Sequence, residues 1–551
     1  MSDRYERQVI ARVLDALLRE DYLGLSSRGR MAGEGCWEVP DLPAPGASLL
    51  LAVRPDGFLA DLRVAAASLR VRRPDGDVTL DRLSAVLAAL SPPDDEEAEA
   101  GWAAFTDECQ RDLAARRLAA VVVASLRQAM GDQLPQGPHG SLLVEALAAH
   151  TDHPVHPTSR CRHGLSHDEL RAYAPEFAPR FALRWAAVPG ATVVGTLPDW
   201  WPTPAMVGLA DDAGPLLPVH PLTAARLDLP LAPEPYLDVT PTLSMRTVAV
   251  LADPTAHLKL PLPTATLGAR NRRTIAPGTL ADGAAAQRLL EEIAAREPSF
   301  SGRIRHADES SYGHAGDENL AWLLRRYPSH PADATVLPVA ALTADGPAGP
   351  LAALLPAGVL DAYLDLLIDW HVALWLGYGV ALEAHQQNIS LVIAADGGVS
   401  LLYKDNDAAR IDLPRLASAL GQPLTADAFA DRRIAVSDPI ELADMFTTIT
   451  LHLCAAAPLY ALRERGMDVA DPATALRSRL LTALDRWTDP ADPGSVAAAR
   501  LLVEHVLQAP RLPIKAMVTA GTLLPKQRLG CADINKYYRR TGPNYLVGAR
   551  R

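Results

Sequence analysis

Apolar residues recur every three or four positions over residues 7–18, 81–90 and 111–130, a spacing that predicts helices and makes the first ~150 residues mainly helical. The stretch Ser91-Pro92-Pro93-Asp94-Asp95-Glu96-Glu97 reads as a solvated loop. Residues 133–139, with Pro135, Gly137 and Pro138, read as a domain joint. From about 150 to 330 the pattern shortens to β-rich runs with proline turns, such as 181–188 and 192–195. A helix over 282–296 interrupts them, with Asp282 as its N-cap. The last third returns to helical spacing. Asp438-Pro439-Ile440-Glu441 is a helix start leading into 442–453, and 495–507 forms another helix. No internal repeat interrupts this mixed α/β pattern.

Two pairs of apolar runs predict hairpins whose open ends gather functional groups. The first leaves His385-Gln386-Gln387-Asn388, runs through 389–393 and turns at Asp396-Gly397-Gly398. It returns through 399–403 to Lys404-Asp405-Asn406-Asp407. Asp-Gly-Gly between apolar runs is a strong hairpin signal, and folding about it sets Asn388 near Asp405. The second leaves Ser244-Met245-Arg246, turns at Asp253-Pro254 and returns to His257-Leu258-Lys259, with Arg246 roughly opposite Lys259. Like charges facing each other weaken a sheet unless an anion lies between them. The first hairpin therefore suits a metal, the second phosphate or carboxylate.

Length and composition narrow the partners. A chain of 551 residues is long enough for about three domains, and 49% hydrophobic with 21% charged residues is ordinary for a globular protein. Five cysteines, none in a CxxC pair, give a reduced, cytosolic pattern. The N-terminus from Met1 to Arg7 lacks an apolar signal core, so secretion is not expected. The apolar stretch 351–382 is interrupted by Asp361, Asp365 and Asp369, against a bilayer span. A net charge of -12 argues against nucleic acid or an anionic membrane as the main partner. Local arginines and lysines can still hold small anions.

Three clusters carry candidate chemistry. His150, His153, His156, Cys161, His163 and His167 include a third of the chain's 15 histidines. Pro154 and Pro157 prevent a helix that would align these imidazoles, and no second ligand cluster follows at zinc-site spacing. The stretch reads instead as a rigid loop presenting imidazoles and guanidiniums to an anion, or as a proline-stiffened surface loop. Arg270, Arg272 and Arg273, after Thr266-Leu267-Gly268-Ala269, form a second basic group. Their planar forks suit bidentate carboxylate recognition better than lysine does. Asn388, Asp405 and Asp407 supply the hard oxygen donors Mg²⁺ prefers. A kinase reading needs a catalytic Asp between the His and the Asn, and only Gln386 and Gln387 intervene.

Taken together, these motifs resemble the IucA/IucC family of siderophore synthetases that work independently of nonribosomal peptide synthetases. The resemblance rests on His153-Pro154-Val155-His156-Pro157 with Arg160, Arg162 and Gly164, and on Ser244-Met245-Arg246-Thr247. It continues through His257-Leu258-Lys259-Leu260, through Glu383, His385, Gln387 and Asn388, and through Asp405 and Asp407. Lys515 in Pro513-Ile514-Lys515-Ala516 resembles the family's C-terminal lysine segment. Arg160 stands where lysine is usual and Lys404 where arginine is usual. Leu222-Thr223 follows His220-Pro221 in place of Trp-Gln, and the basic residue after Lys259 has altered spacing.

The resemblance implies a mixed α/β (α+β) fold in three parts arranged as a cupped hand. These are a helical thumb-like region 1–135, a β-rich fingers-like region 136–335 that binds nucleotide and carboxylate, and a mostly helical palm-like region 336–551 carrying a β-hairpin. It implies ATP- and Mg²⁺-dependent adenylation of a carboxylic acid, typically citrate, and its condensation with an amine or alcohol. A small-molecule kinase is the alternative. Ser244, Arg246 and Lys259 would hold the phosphates, with Arg160, Arg162, Thr266 and Gln387 beside the nucleotide or acid. Asn388, Asp405 and Asp407 would hold Mg²⁺. His156, His385 and either Arg270 or Arg272 would serve the reacting carboxylate. A cytoplasmic homodimer is the expected state.

Overall fold

The computed structural model describes residues 3–92 and 95–547; Met1, Ser2, Pro93 and Asp94, included in the readings above, lie outside the described residues. The first helix, Arg4–Arg19, starts where Asp3 accepts the Glu6 N–H at 2.8 Å. It buries Val9, Ile10, Val13, Leu14 and Leu17 along one stripe. Helices make up much of the N-terminal region, and a sheet joins them. Between helices, residues 30–80 form a six-stranded antiparallel sheet centred on Ser48–Pro55. Leu69–Arg73 alternates buried Leu69 and Val71 with exposed Arg70 and Arg72, the two-residue period of a half-buried strand. Its turn into Gly76–Leu80 uses Gly76 at φ 131.

The acidic stretch is also corrected at its end. Asp95 caps a helix, Glu96–Ala119, by accepting the Ala98 N–H at 3.0 Å. The helix expected over 111–130 is broken at Ala120, and a second helix, Val123–Met130, follows. Gly101 permits the first of these to touch the C-terminal turn Thr519–Leu523; a Cβ there would lie 1.9 Å from the Leu523 carbonyl oxygen. Asp282 is not a cap. The helix begins at Pro277, and the Asp282 carboxylate instead accepts the N–H groups of Ala430 and Asp431 at 2.6 and 2.8 Å.

The middle of the chain builds an eight-stranded antiparallel sheet. Its central strands are Ala321–Arg326, Asp253–Lys259, Thr247–Val250 and Tyr236–Pro241, in that order. A four-stranded sheet lies across the expected boundary at 335. Ile304–His306 pairs in parallel with Val399–Tyr403, and Thr335–Pro338 pairs antiparallel with Ile389–Ile393. One helical turn system, Ile440–Glu464, starts beside Asp438, which accepts the Ile440 N–H at 2.9 Å. Its 25 residues have the length and apolar composition of a membrane span, yet 89% of its apolar window is buried within the protein. Val359–Ala373 packs against it, and Tyr363 donates to the Cys454 carbonyl at 2.9 Å.

Candidate functional site

The hairpin Ile389–Ile393/Val399–Tyr403 pairs Ile389 with Tyr403, and the Asn388 carbonyl accepts the Lys404 N–H at 3.0 Å. Asn388 and Asp405 therefore meet at its open end. Asp405 turns the chain at φ 65, a conformation few non-glycine residues adopt. Buried Glu309 fixes it there, accepting the N–H groups of Asp405 and Asn406 at 2.9 and 3.2 Å.

The second hairpin turns at Leu251 and Ala252, with Val250 opposite Asp253, and not at Asp253-Pro254. Lys259 lies opposite Thr247, while the Arg246 carbonyl accepts the Leu260 N–H at 2.7 Å. The two cations thus do not face each other along the ladder. Lys259 instead crosses to the first hairpin, where its ammonium pairs with Asp405 and stands 3.7 Å from Asp407. Arg325 joins them, 3.2 Å from Asp405 and 2.6 Å from Glu309.

Burial opposes ionisation of Asp405, but Lys259, Arg325 and Arg246 outweigh it and hold the carboxyl well below the usual range. Asp407 goes the other way. Burial raises it, Lys259 pulls against that, and Asp405 and Glu309 add to the rise. Two carboxylates and the Asn388 amide on one wall fit a hard cation that shares its shell with phosphate oxygens. Lys259 and Arg325 balance those acids in the structure as it stands.

Arg246 and Asp405 line one cavity of ≈ 320 Å³, together with Lys259, Asn388 and Asp407. A second cavity of ≈ 260 Å³ is lined by His153, Arg160, Arg162, Thr266 and Lys515. Ser244, Arg246, Arg273, Glu383, His385 and Gln387 line both, so the two are halves of one cleft. Burial pulls His385 down to about 4 despite nearby Glu383, which keeps its imidazole neutral near pH 7. Burial likewise pulls the Lys515 ammonium down, with Glu383 opposing.

Residues 142–344 match the IucA / IucC family, and residues 359–529 match a family described as ferric iron reductase FhuF-like transporter. The match assigns residues 142–344 of the chain to the IucA/IucC family. It is similar to staphyloferrin A synthase of Staphylococcus aureus, 25% identical over 48% of this chain and 52% of that protein. Staphyloferrin B synthase of the same organism is 24% identical over 52% and 57%. The match therefore spans about half the length of these curated relatives. Among solved structures, petrobactin biosynthesis protein AsbB from Bacillus anthracis aligns with a TM-score of 0.74 at 16% identity, covering 100% of this chain and 99% of that one. ATP-bound aerobactin synthetase IucA from Klebsiella pneumoniae aligns with a TM-score of 0.72 at 17% identity, covering 98% and 99%. These neighbours share the mixed α/β fold.

The loop of histidines divides. His153 lines the cleft, its Nδ1 accepting the Val155 and His156 N–H groups at 3.1 and 3.0 Å. His156 does not line it. It is buried 3.7 Å from Glu108 and is pulled down to about 4 by burial. Arg160 and Arg162 line the cleft, Arg160 anchored on the His150 carbonyl and Arg162 3.2 Å from Glu176. The basic group after the second hairpin divides too. Arg270 turns away to the Thr522 carbonyl, and Arg272 lies at the exposed rim with Glu318 at 3.1 Å. Arg273 is the one that reaches both halves, held by Thr266. Burial, reinforced by Arg246 and Arg162, pulls its guanidinium down to about 9. Glu309 and Arg325 also shape the site by holding Asp405. They sit on strands Asp308–His314 and Ala321–Arg326 with no local motif to mark them.

Proposed function

We propose that this chain is an ATP-dependent, AMP-forming ligase of siderophore biosynthesis. It adenylates citrate, or an acid derived from citrate or another dicarboxylate, and joins it to an amine or alcohol. The observation that carries the reading is the shared cleft, in which the cations at Arg246 and Lys259 and the acids at Asp405 and Asp407 face one space. Relatives named staphyloferrin synthases and a neighbour named as ATP-bound aerobactin synthetase support the same class.

Ser244, Arg246 and Lys259 hold the triphosphate on its cationic wall. Mg²⁺, when bound at Asn388, Asp405 and Asp407, would neutralise phosphate charge. Arg160, Arg162 and Arg273 hold the acid's carboxylates in the other half, with Thr266 fixing the Arg273 fork. Neutral His385 and Gln387 sit at the junction of the two halves. A substrate carboxylate oxygen attacks the α-phosphorus, forming a P–O bond as pyrophosphate leaves. The acceptor's nitrogen or oxygen then attacks the acyl carbon, and AMP leaves with the electron pair. Holding two anionic reactants together is an orientation and electrostatic problem, which a basic cleft on an acidic protein answers.

The test is nucleotide product analysis with Mg²⁺, citrate, succinyl-polyamine or 2-oxoglutarate, and several amines. AMP and pyrophosphate that depend on the acid are expected. ADP with a phosphorylated product would establish a kinase instead, and no nucleotide turnover with any combination would remove the ligase reading.

A further inference from the structure

The acid-binding half of the cleft takes much of its wall from the loop 151–162, including His153, Ser159, Arg160 and Arg162. Among the described residues, none before Ala148 lines either half. Yet the N-terminal region holds this loop in place. Pro154 and Pro157 have no N–H and the loop joins no sheet, so its buried carbonyls need donors from elsewhere. Arg12, on helix Arg4–Arg19, serves three of them. Its guanidinium donates to the His153 and His156 carbonyls, each at 2.7 Å, and to the Pro157 carbonyl at 3.3 Å. Arg19, further along the same helix, donates to the Val155 carbonyl at 2.7 Å. The second half of the loop rests on helix Glu96–Ala119. There Glu108 accepts the Thr158 hydroxyl, and Asp112 accepts the Arg160 N–H at 2.8 Å.

Arg12 thus spans the segment that carries His153 into the cleft. The His153 Nδ1 accepts two backbone N–H groups, so the ring proton sits on Nε2, a donor suited to a carboxylate. Asp152, 3.6 Å from Arg12 and 3.4 Å from Arg160, ties the same guanidinium to the next cleft residue. Arg12 itself does not line the cleft. Its charge already has Asp152 beside it, so what it offers the loop is geometry. A planar fork reaches several carbonyls at once, which a single ammonium does not reproduce.

We propose that Arg12 is a positioning residue for the acid substrate. Acting through the carbonyls of His153, His156 and Pro157, it fixes where the His153 imidazole and the Arg160 guanidinium meet a carboxylate. This role rests on the ligase reading, because it needs an acid in that half of the cleft.

Acid-dependent exchange of pyrophosphate into ATP reads adenylation alone, with citrate, succinyl-polyamine and 2-oxoglutarate as the acids. Its absence from the unaltered protein with all three defeats the ligase reading, and the positioning role falls with it. With exchange established, Arg12→Met should raise the acid KM by about tenfold or more and leave the ATP KM within about twofold. A side chain that only held the fold together would lower the rate with the amount of folded protein and leave the acid KM alone. Arg12→Lys keeps the charge beside Asp152 but not the fork. Its acid KM should stay about fivefold or more above that of the unaltered protein. Deuterium uptake should quicken in peptides covering 150–163 and not in those covering 389–403. Should Arg12→Met fail to fold, Arg12→Lys decides alone. An unchanged acid KM, full recovery in Arg12→Lys, an equal rise in the ATP KM, or unaltered uptake in the loop overturns the positioning role while the ligase reading stands.

Discussion

Lys259 and Asp405 are 146 residues apart in the chain and meet as an ion pair between two hairpins. Lys259 keeps 7% of its side chain exposed and Asp405 keeps 25%. Neither hairpin could bury its own charge alone, so the pair couples the folding of the eight-stranded sheet to that of the four-stranded one. It also sets the cationic and acidic walls of the cleft at a fixed separation.

Lys259→Met leaves Asp405 and Asp407 facing each other with less compensation. Breaking a fully buried pair costs ~3–5 kcal/mol, and the partial exposure of Asp405 puts this variant toward or below the lower end. Urea denaturation at pH 7 should show the loss, and acid-dependent pyrophosphate release should disappear. A denaturation midpoint equal to that of the unaltered protein would show that the pair contributes nothing to stability.

Asp407 should behave oppositely. Its carboxyl is raised, first by burial and then by Asp405 and Glu309, against the pull of Lys259, so the folded state binds the proton more tightly than the unfolded chain. Ionising it therefore costs stability above its folded pKa, and that cost vanishes below the unfolded value near 3.8. Asp407→Asn should raise the urea midpoint at pH 8, with the gain shrinking toward acid pH, while activity falls. A lower midpoint at pH 8 contradicts this account.

Arg273→Met should abolish acid-dependent adenylation, because it alone of the group reaches both halves of the cleft. Arg270→Met should leave the acid KM unchanged and lose only its contact with the Thr522 carbonyl. Steady-state kinetics on the two variants separates these outcomes; equal effects on the acid KM would place both side chains at the substrate.

Burial pulls His156, His306, His385 and His452 down to about 4, and His220 and His371 to about 3. An unfolded histidine takes up its proton near 6.5, so these neutral imidazoles favour the folded state above that pH and lose their contribution as pH falls toward about 4. Stability should be flat from pH 7 to 8 and drop steeply below 6.5. A flat urea midpoint from pH 7 to 5 would mean that the imidazoles protonate freely in the fold.

Several elements were legible because their causes are local. The Asp396-Gly397-Gly398 turn between apolar runs specifies the first hairpin, and with it the meeting of Asn388 and Asp405. The helix start at Asp438 follows from its carboxylate reaching the Ile440 N–H. The N-terminal sheet also carried a readable signal, the alternation of Leu69 and Val71 with Arg70 and Arg72 before Asp75-Gly76. Helical spacing in the flanking segments masked it.

The sequence by itself determined which residues end each hairpin and which types of donor gather there, since turn chemistry and periodicity depend on neighbours along the chain. Tertiary structure alone decided which arginine enters the cleft. The chain reverses at Leu267 and Gly268, with φ 56 and 112, because Gly268 packs against Gly521, where an added Cβ would lie 2.7 Å from the Gly521 Cα. That contact carries Arg270 to Thr522, and the following strand alternation turns Arg272 outward and Arg273 inward. Asp282, Glu309 and Arg325 were likewise assigned by distance in space, because each satisfies a buried backbone or ionic partner that no local pattern announces.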